Sequence, residues 1–225
     1  AITVVNQAHE AVAVHWHGIE LESYADGVPG WSGYGKTVLP FIMPGDSLTV
    51  KFTPPRSGTF MYHSHSNEMQ EIASGLYGAI IVRDPGPRPD SSERTLLFSD
   101  GGPTVNFFAV GPPALLNGKV PADTINVPAG VPTRLRVINI RTENATQLSL
   151  ERDGAPVTWR AVAKDGADLP AHQQRELPAQ MITEPGEIYD YEITPKEPGI
   201  LVLRYLDVPG DTTTTRRAIV RLTPP

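Results

Sequence analysis

The chain has 225 residues, 40% of them hydrophobic and 20% charged, with a formal net charge of −6 at neutral pH. That length can bury one large core or two smaller ones, and the acidic balance argues against nucleic acid or an anionic membrane surface as a partner. No run of about 18 apolar residues occurs, which argues against a spanning helix, and the absence of cysteine excludes disulfides and thiolate ligands.

The 23 prolines are about twice the share of roughly 5% in ordinary proteins. With 20 glycines they leave little room for long helices, so an all-β fold of short strands and tight turns is expected. Ala1-Ile2-Thr3-Val4-Val5-Asn6 opens in strand-like sequence with no signal peptide, which suggests a processed or trimmed start. Next comes Val14-His15-Trp16-His17-Gly18, and later Tyr62-His63-Ser64-His65. Alternate strand residues share a face, so each motif aims two imidazoles the same way, roughly 6.5–7 Å apart. Four such donors brought together suit copper, zinc, iron or nickel.

In the first motif Val12, Val14 and Trp16 share one face, while Ala13, His15 and His17 share the other. In the second, Phe60, Tyr62 and Ser64 lie opposite Thr59, Met61, His63 and His65. The bulky faces are expected to fill a sandwich interior and the imidazoles to project from it near a domain surface. Trp16 and Tyr62 read as packing residues, His9 and His172 as solvated, and Met43, Met61, Met69 and Met181 as core filling. Asn144-Ala145-Thr146 fits the glycosylation pattern, a tripeptide that often occurs by chance.

The polar, proline-rich stretch Asp84-Pro85-Gly86-Pro87-Arg88-Pro89-Asp90-Ser91-Ser92 reads as a linker between a domain of residues 1–86 and one of 93–225. The two parts repeat one another. Pro44-Gly45-Asp46 and Thr53–Gly58 match Pro185-Gly186-Glu187 and Thr194–Gly199 at a constant offset of 141, and Val4-Val5-Asn6 matches Val137-Ile138-Asn139 at 133. Carried through, those offsets set His15 and His17 opposite Leu148 and Leu150, and His63 and His65 opposite Arg204 and Leu206. The second domain is therefore expected to be metal-free.

Taken together, His15-Trp16-His17-Gly18, Asp26-Gly27-Val28-Pro29, Pro44-Gly45-Asp46-Ser47, Gly58–His65 and Gly75–Val82 resemble the first cupredoxin domain of multicopper oxidases. Leu116-Asn117-Gly118, Pro128-Ala129-Gly130, Arg134–Asn139 and Pro185–Asp190 resemble the second domain of three-domain, laccase-like members. The resemblance implies two tandem Greek-key β-sandwiches of cupredoxin type and a copper-dependent oxidase that reduces dioxygen to water. It implies that His15 serves the type 2 copper, His17 and His63 one copper of the type 3 pair, and His65 the other. Asp26 matches an acid beside that cluster, although Asp26-Gly27 is equally a plain turn.

The family's cluster uses eight histidines, of which only four match here, and its type 1 copper takes a cysteine that this sequence lacks. The implied partners are a further cupredoxin domain or another chain supplying that Cys and four His, with a small-molecule or metal-ion reductant. This chain alone is expected to be inactive. Periplasmic or extracellular location follows from the resemblance. A copper-free scaffold of the same fold is the alternative, and a zinc hydratase or hydrolase a more distant one.

Overall fold

The computed structural model describes residues 1–86, 92–101, 114–208 and 215–224. The middle of the expected linker, residues 87–91, lies outside them. The architecture is nearly all β, as expected. The first half carries β1 (Ile2–Val5), β2 (Val14–His17), β3 (Gly33–Tyr34), β4 (Thr37–Val38), β5 (Ser47–Val50), β6 (Gly58–Ser64), α1 (Glu68–Ala73) and β7 (Tyr77–Val82). The second carries β8 (Glu93–Asp100), β9 (Ala114–Leu116), β10 (Ile125–Pro128), β11 (Thr133–Asn139), β12 (Ala145–Arg152), β13 (Ala155–Pro156) and β14 (Thr158–Lys164). It continues through β15 (Ala167–Asp168), β16 (Glu176–Pro178), β17 (Gln180–Thr183), β18 (Ile188–Ile193), β19 (Gly199–Val208) and β20 (Arg216–Thr223).

In the first half β2, β6 and β7 form one sheet and β1 with β5 another. Val14, Trp16, Val50 and Phe60 pack between them, with Tyr62 and Ile80 alongside. This is the burial that alternation along β2 and β6 demands. The second half is a larger sandwich, one sheet ordered β10-β20-β19-β12-β13 and the other β15-β14-β18-β11-β8-β9, around a core that includes Trp159, Leu203 and Tyr205.

The internal repeat extends to single hydrogen bonds. Asn6 and Asn139 are both buried, and each Nδ2 donates across its turn, to the carbonyls of Ile42 and Thr183 respectively, at 2.8 Å. The amides of Gly45 and Gly186 donate to the carbonyls of Asn6 and Asn139 at 2.9 and 2.8 Å. The offset of 133 holds through this turn. It then becomes 134, because Val12 bridges Ile42 where Thr146 pairs with Thr183.

That single extra residue overturns the pairing of His15 and His17 with leucines, while His65 keeps Leu206 as its counterpart. His15 faces His63 across the ladder, and Arg204, the counterpart of His63, faces Ser149. The counterparts of His15 and His17 are therefore Ser149 and Glu151. A slip of one along a strand exchanges its two faces, so Leu148 and Leu150 correspond instead to Val14 and Trp16 and are buried like them.

The halves meet on the face of β6 opposite the first core. Met61 packs there with Leu97, Ile138, Ile140 and Ile188. Beside it Thr59 Oγ1 donates to Asp190 Oδ2 at 2.7 Å and accepts from Arg136, whose guanidinium also reaches Asp190 at 3.1 Å and Glu93 at 2.8 Å. Thr59, Arg136 and Asp190 are all buried. Such a group is costly to open, because removing one member strands the others in a low dielectric. The approach is close enough that a Cβ at Gly58 would lie 2.3 Å from the Gly166 carbonyl oxygen.

The remaining expectations divide. Trp16 packs against Phe52 and Tyr62, with ring centroids 5.6 and 6.1 Å apart, and His9 and His172 are exposed. Met61 is buried and Met181 packs on the second core, but Met43 and Met69 are exposed, so core filling is wrong for those two. Met43 sits just before the Pro44-Gly45 turn and Met69 in the one-and-a-half-turn α1, where neither faces a core. Thr146 is fully buried in β12, so Asn144-Ala145-Thr146 is not presented as a free loop.

Candidate metal centre

The antiparallel pairing of β2 with β6 sets His15 directly opposite His63, and the Val14–Ser64 pair continues the ladder beyond them. His65 extends it, its amide donating to the Ala13 carbonyl at 3.2 Å. All four imidazoles leave the same face of the sheet. The His15 ring is central, its centroid 5.5, 5.4 and 5.5 Å from those of His17, His63 and His65. The face lies at the surface of the first domain, as the alternation led us to expect, on the side turned toward the second half. A Cβ placed on Gly186, in the Pro185-Gly186 turn, would lie 3.5 Å from His17 Cε1.

Three rings are held from behind by oxygen. His15 Nδ1 lies 2.8 Å from the Asp26 carbonyl and His63 Nδ1 2.7 Å from that of Ser64, while His65 Nδ1 lies 3.4 Å from Glu68 Oε1. An oxygen at Nδ1 favours the tautomer protonated there and leaves Nε2 with its lone pair. His17 is turned the other way, with Nδ1 inward and 3.3 Å from His63 Nε2. Ligating nitrogens of His15, His17 and His63 all lie within 4.8 Å of one another.

Two nitrogens 3.3 Å apart can share one proton or one metal ion, but they cannot both carry protons. With metal–nitrogen bonds of about 2.0–2.1 Å, as for zinc, that separation corresponds to an angle near 107° at a shared ion. The donor set therefore fits an imidazole-bound transition metal.

Burial, with the neighbouring His63, His15 and His65 acting the same way, lowers the His17 imidazolium to about 4. Burial also lowers His63, against the opposing hydrogen bond to the Ser64 carbonyl. At neutral pH these two rings are neutral, the form that binds metal.

Asp26 stands beside the cluster, although its 2.8 Å contact to His15 is through the main chain and its Oδ2 is 3.6 Å from Nδ1. The turn reading holds as well. Gly27 has φ +92°, and a Cβ there would meet the Val14 carbonyl oxygen at 1.9 Å. Sequence reasoning missed Glu68, Glu71 and Gly186. Glu71 bonds the buried Ser64 hydroxyl between the two histidines. The i, i+3 spacing from His65 was the available signal for Glu68; Gly186 could be connected with His17 only through the tertiary fold.

Comparison with known proteins shows what the chain is similar to. A multicopper oxidase profile matches residues 1–87. Over those residues, under half of the chain, the sequence is similar to the multicopper oxidases. Copper resistance protein A of Escherichia coli is 39% identical over 101 residues, 44% of this chain and 15% of that protein. Laccase-2 of Botryotinia fuckeliana is 36% identical over 121 residues, 50% of this chain and 19% of that protein. Among solved structures, a multi-copper oxidase from Pseudomonas thermotolerans superposes on 99% of this chain and 53% of its own, with TM-score 0.79 and 25% identity. The blue copper oxidase of Nitrosomonas europaea shares the fold at TM-score 0.74 and 23% identity, over 98% of this chain and 71% of its own. The chain thus spans under a fifth of the curated relatives' length and about half of the first of these structures, and its fold is that of cupredoxin-type multicopper oxidases.

Proposed function

We propose that this chain supplies half of the imidazole ligands of a copper centre in a laccase-like oxidase, one that couples one-electron oxidation of a substrate to four-electron reduction of dioxygen to water. The observation that carries this reading is the convergence of the ligating nitrogens of His15, His17 and His63, with His17 Nδ1 and His63 Nε2 3.3 Å apart and the His65 ring beside His15. His17 and His63 would share one copper, with His15 and His65 each serving another. Copper held there supplies the one-electron steps and the oxygen-binding position.

The protein's own part is orientation and dryness. The Asp26 and Ser64 carbonyls fix the rings of His15 and His63, and Glu68 stands behind His65. Burial keeps His17 unprotonated, so the inner nitrogens stay available as donors. The Asp26 carboxylate would stand beside the centre, its Oδ2 3.6 Å from His15 Nδ1. Residues 1–86 act as the ligand-bearing domain, and residues 93–225 as a metal-free domain that orients it.

Four further histidines and a cysteine must come from another cupredoxin domain or chain, and electrons from a small-molecule or metal-ion reductant. Export to the periplasm or beyond the cell suits such an enzyme, and no helix among the described residues is long and apolar enough to cross a membrane.

The test is a Cu(II) titration of the 225-residue chain, followed by electron paramagnetic resonance and a phenol-oxidation assay. Nitrogen hyperfine structure from imidazole is expected, with no blue thiolate absorption and no turnover. A chain that comes through dialysis empty and takes up no added copper, or one that oxidises phenols by itself, overturns the reading.

A further inference from the structure

The two halves differ at a further set of matched positions, beside the Asn6 and Asn139 turns. The amides of Ala8 and Arg141 donate to the side-chain carbonyls of Asn6 and Asn139 at 2.8 and 3.1 Å, which makes Arg141 the counterpart of Ala8. The Val12–Ile42 bridge of the first half is the Thr146–Thr183 pair of the second. Three apolar side chains thus become a guanidinium and two hydroxyls. The polar set is nonetheless as buried as a core, with Thr146 and Thr183 0% exposed and Arg141 2%.

Threonine and valine have nearly the same shape. A threonine at a buried valine position therefore gains nothing in packing and loses free energy unless its hydroxyl is bonded. Neither hydroxyl has a partner among the described residues, although Thr146 and Thr183 face each other directly, and Arg141 Nη2 has none either. The rest of that guanidinium is held, Nε donating to Asp100 Oδ1 at 2.6 Å and Nη1 to Asp207 Oδ1 at 2.5 Å. Asp207 is in turn the cross-strand neighbour of Thr146 on β19. The register thus gathers Arg141, Asp207, Thr146 and Thr183 in one buried place, with three polar atoms left over.

Three such atoms match what one internal water requires, about three hydrogen bonds to groups that otherwise have none. A water can accept from Nη2 and donate to each Oγ1. An anion suits the place less well, because the Arg141 guanidinium already meets the carboxylates of Asp100 and Asp207.

We propose that Arg141 Nη2, Thr146 Oγ1 and Thr183 Oγ1 enclose one internal water molecule, and that this water braces the turn resting on His17. Thr183 leads through Glu184 into Pro185-Gly186. Its carbonyl accepts from Asn139 Nδ2 at 2.8 Å, and the Asn139 carbonyl accepts from the Gly186 amide at 2.8 Å. The water joins that turn to β12 and to the Arg141–Asp100 pair. The first half, with alanine, valine and isoleucine at the same three positions, offers no side-chain groups for such a site.

The test compares the metal-free 225-residue chain with Thr146→Val, Thr183→Val and the double variant, so no outcome depends on copper. Magnetic relaxation dispersion of the water oxygen nucleus counts long-lived internal waters, and urea unfolding and amide exchange are read alongside. The double variant is expected to lose one long-lived water and to raise the unfolding equilibrium constant about tenfold. Its Gly186 amide should exchange several-fold faster relative to core amides such as that of Leu203. Each single variant leaves the water two partners and should raise the unfolding constant about threefold, which decides the matter where the double variant does not fold.

An unchanged water count in the double variant overturns the site. So does an equal or lower unfolding constant, the result expected when valine merely removes a hydroxyl that had no partner. Gly186 exchange that moves only with the core overturns the bracing of the turn. Stability that rises with chloride but not with fluoride makes an anion the occupant and overturns the assignment to water.

Discussion

The two sandwiches place opposite chemistries at one pair of strand positions. Where β2 and β6 present His15, His17, His63 and His65, β12 and β19 present Ser149, Glu151, Arg204 and Leu206. In the second half the Arg204 guanidinium donates to Glu151 Oε2 at 2.5 Å, and the Ser149 hydroxyl donates to the other oxygen of that carboxylate at 2.7 Å. The backbone register is the same in both. A cluster of imidazole donors is completed by a cation, whereas an acid, a base and a hydroxyl complete one another. The scaffold supplies the geometry, and side-chain identity decides whether the position is a metal site.

The comparison breaks most sharply by deletion. His15→Ala with His63→Ala is expected to weaken Cu(II) binding at least 100-fold, since outer partners alone are worth about 10–100-fold. Ser149→Ala with Arg204→Ala should leave it unchanged. Isothermal titration of both pairs checks this, and equal losses would put the metal elsewhere.

Asp190→Ala tests the contact between the halves. It leaves Arg136 with less than its full set of partners in a buried site, and about 3–5 kcal/mol of stability should be lost in urea unfolding. A smaller effect follows at the turn behind His17. Gly186 has φ +86°, so Gly186→Ala adds strain of about 1–2 kcal/mol. Its new methyl would make ordinary van der Waals contact with the His17 ring, 3.5 Å from Cε1, so the cost should be that strain alone, as for alanine at Gly130 (φ +73°), with copper affinity essentially unchanged.

The mildest test is pH. His17 has its folded value depressed to about 4 from an ordinary value of 6.5. The unfolded chain therefore binds more protons between those values, and the stability of the metal-free protein should decline as pH falls from 6.5 toward 4. Replacing His17 with Gln should flatten that slope in thermal unfolding scans.

Much of this was legible in the sequence because strand alternation has a fixed period of two. His15, His17, His63 and His65 could be assigned to common faces from spacing alone, and the Pro-Gly turns marked the repeat. What failed was the gapless extension from Asn139 to Leu150. One residue inserted between Asn139 and Asn144 leaves no signature in composition, yet it exchanges the faces of everything after it until the next turn resets the register. The arrangement of one half against the other was equally invisible. Nothing in Pro185-Gly186 announces that it will rest against an imidazole, because that contact depends on long-range packing of β6 on Asp190, Arg136 and Ile188.

The buried meeting of Thr59 with Arg136 and Asp190 has a consequence for how the centre lives and dies. It fastens the start of β6, four residues before His63, to strands of the other sandwich. Loosening the histidines by local fraying then requires breaking charges that no solvent replaces. Loss of metal and loss of the whole tertiary fold should thus be a single cooperative event, and residues 1–86 expressed by themselves would keep their histidines but lose the wall that stiffens them.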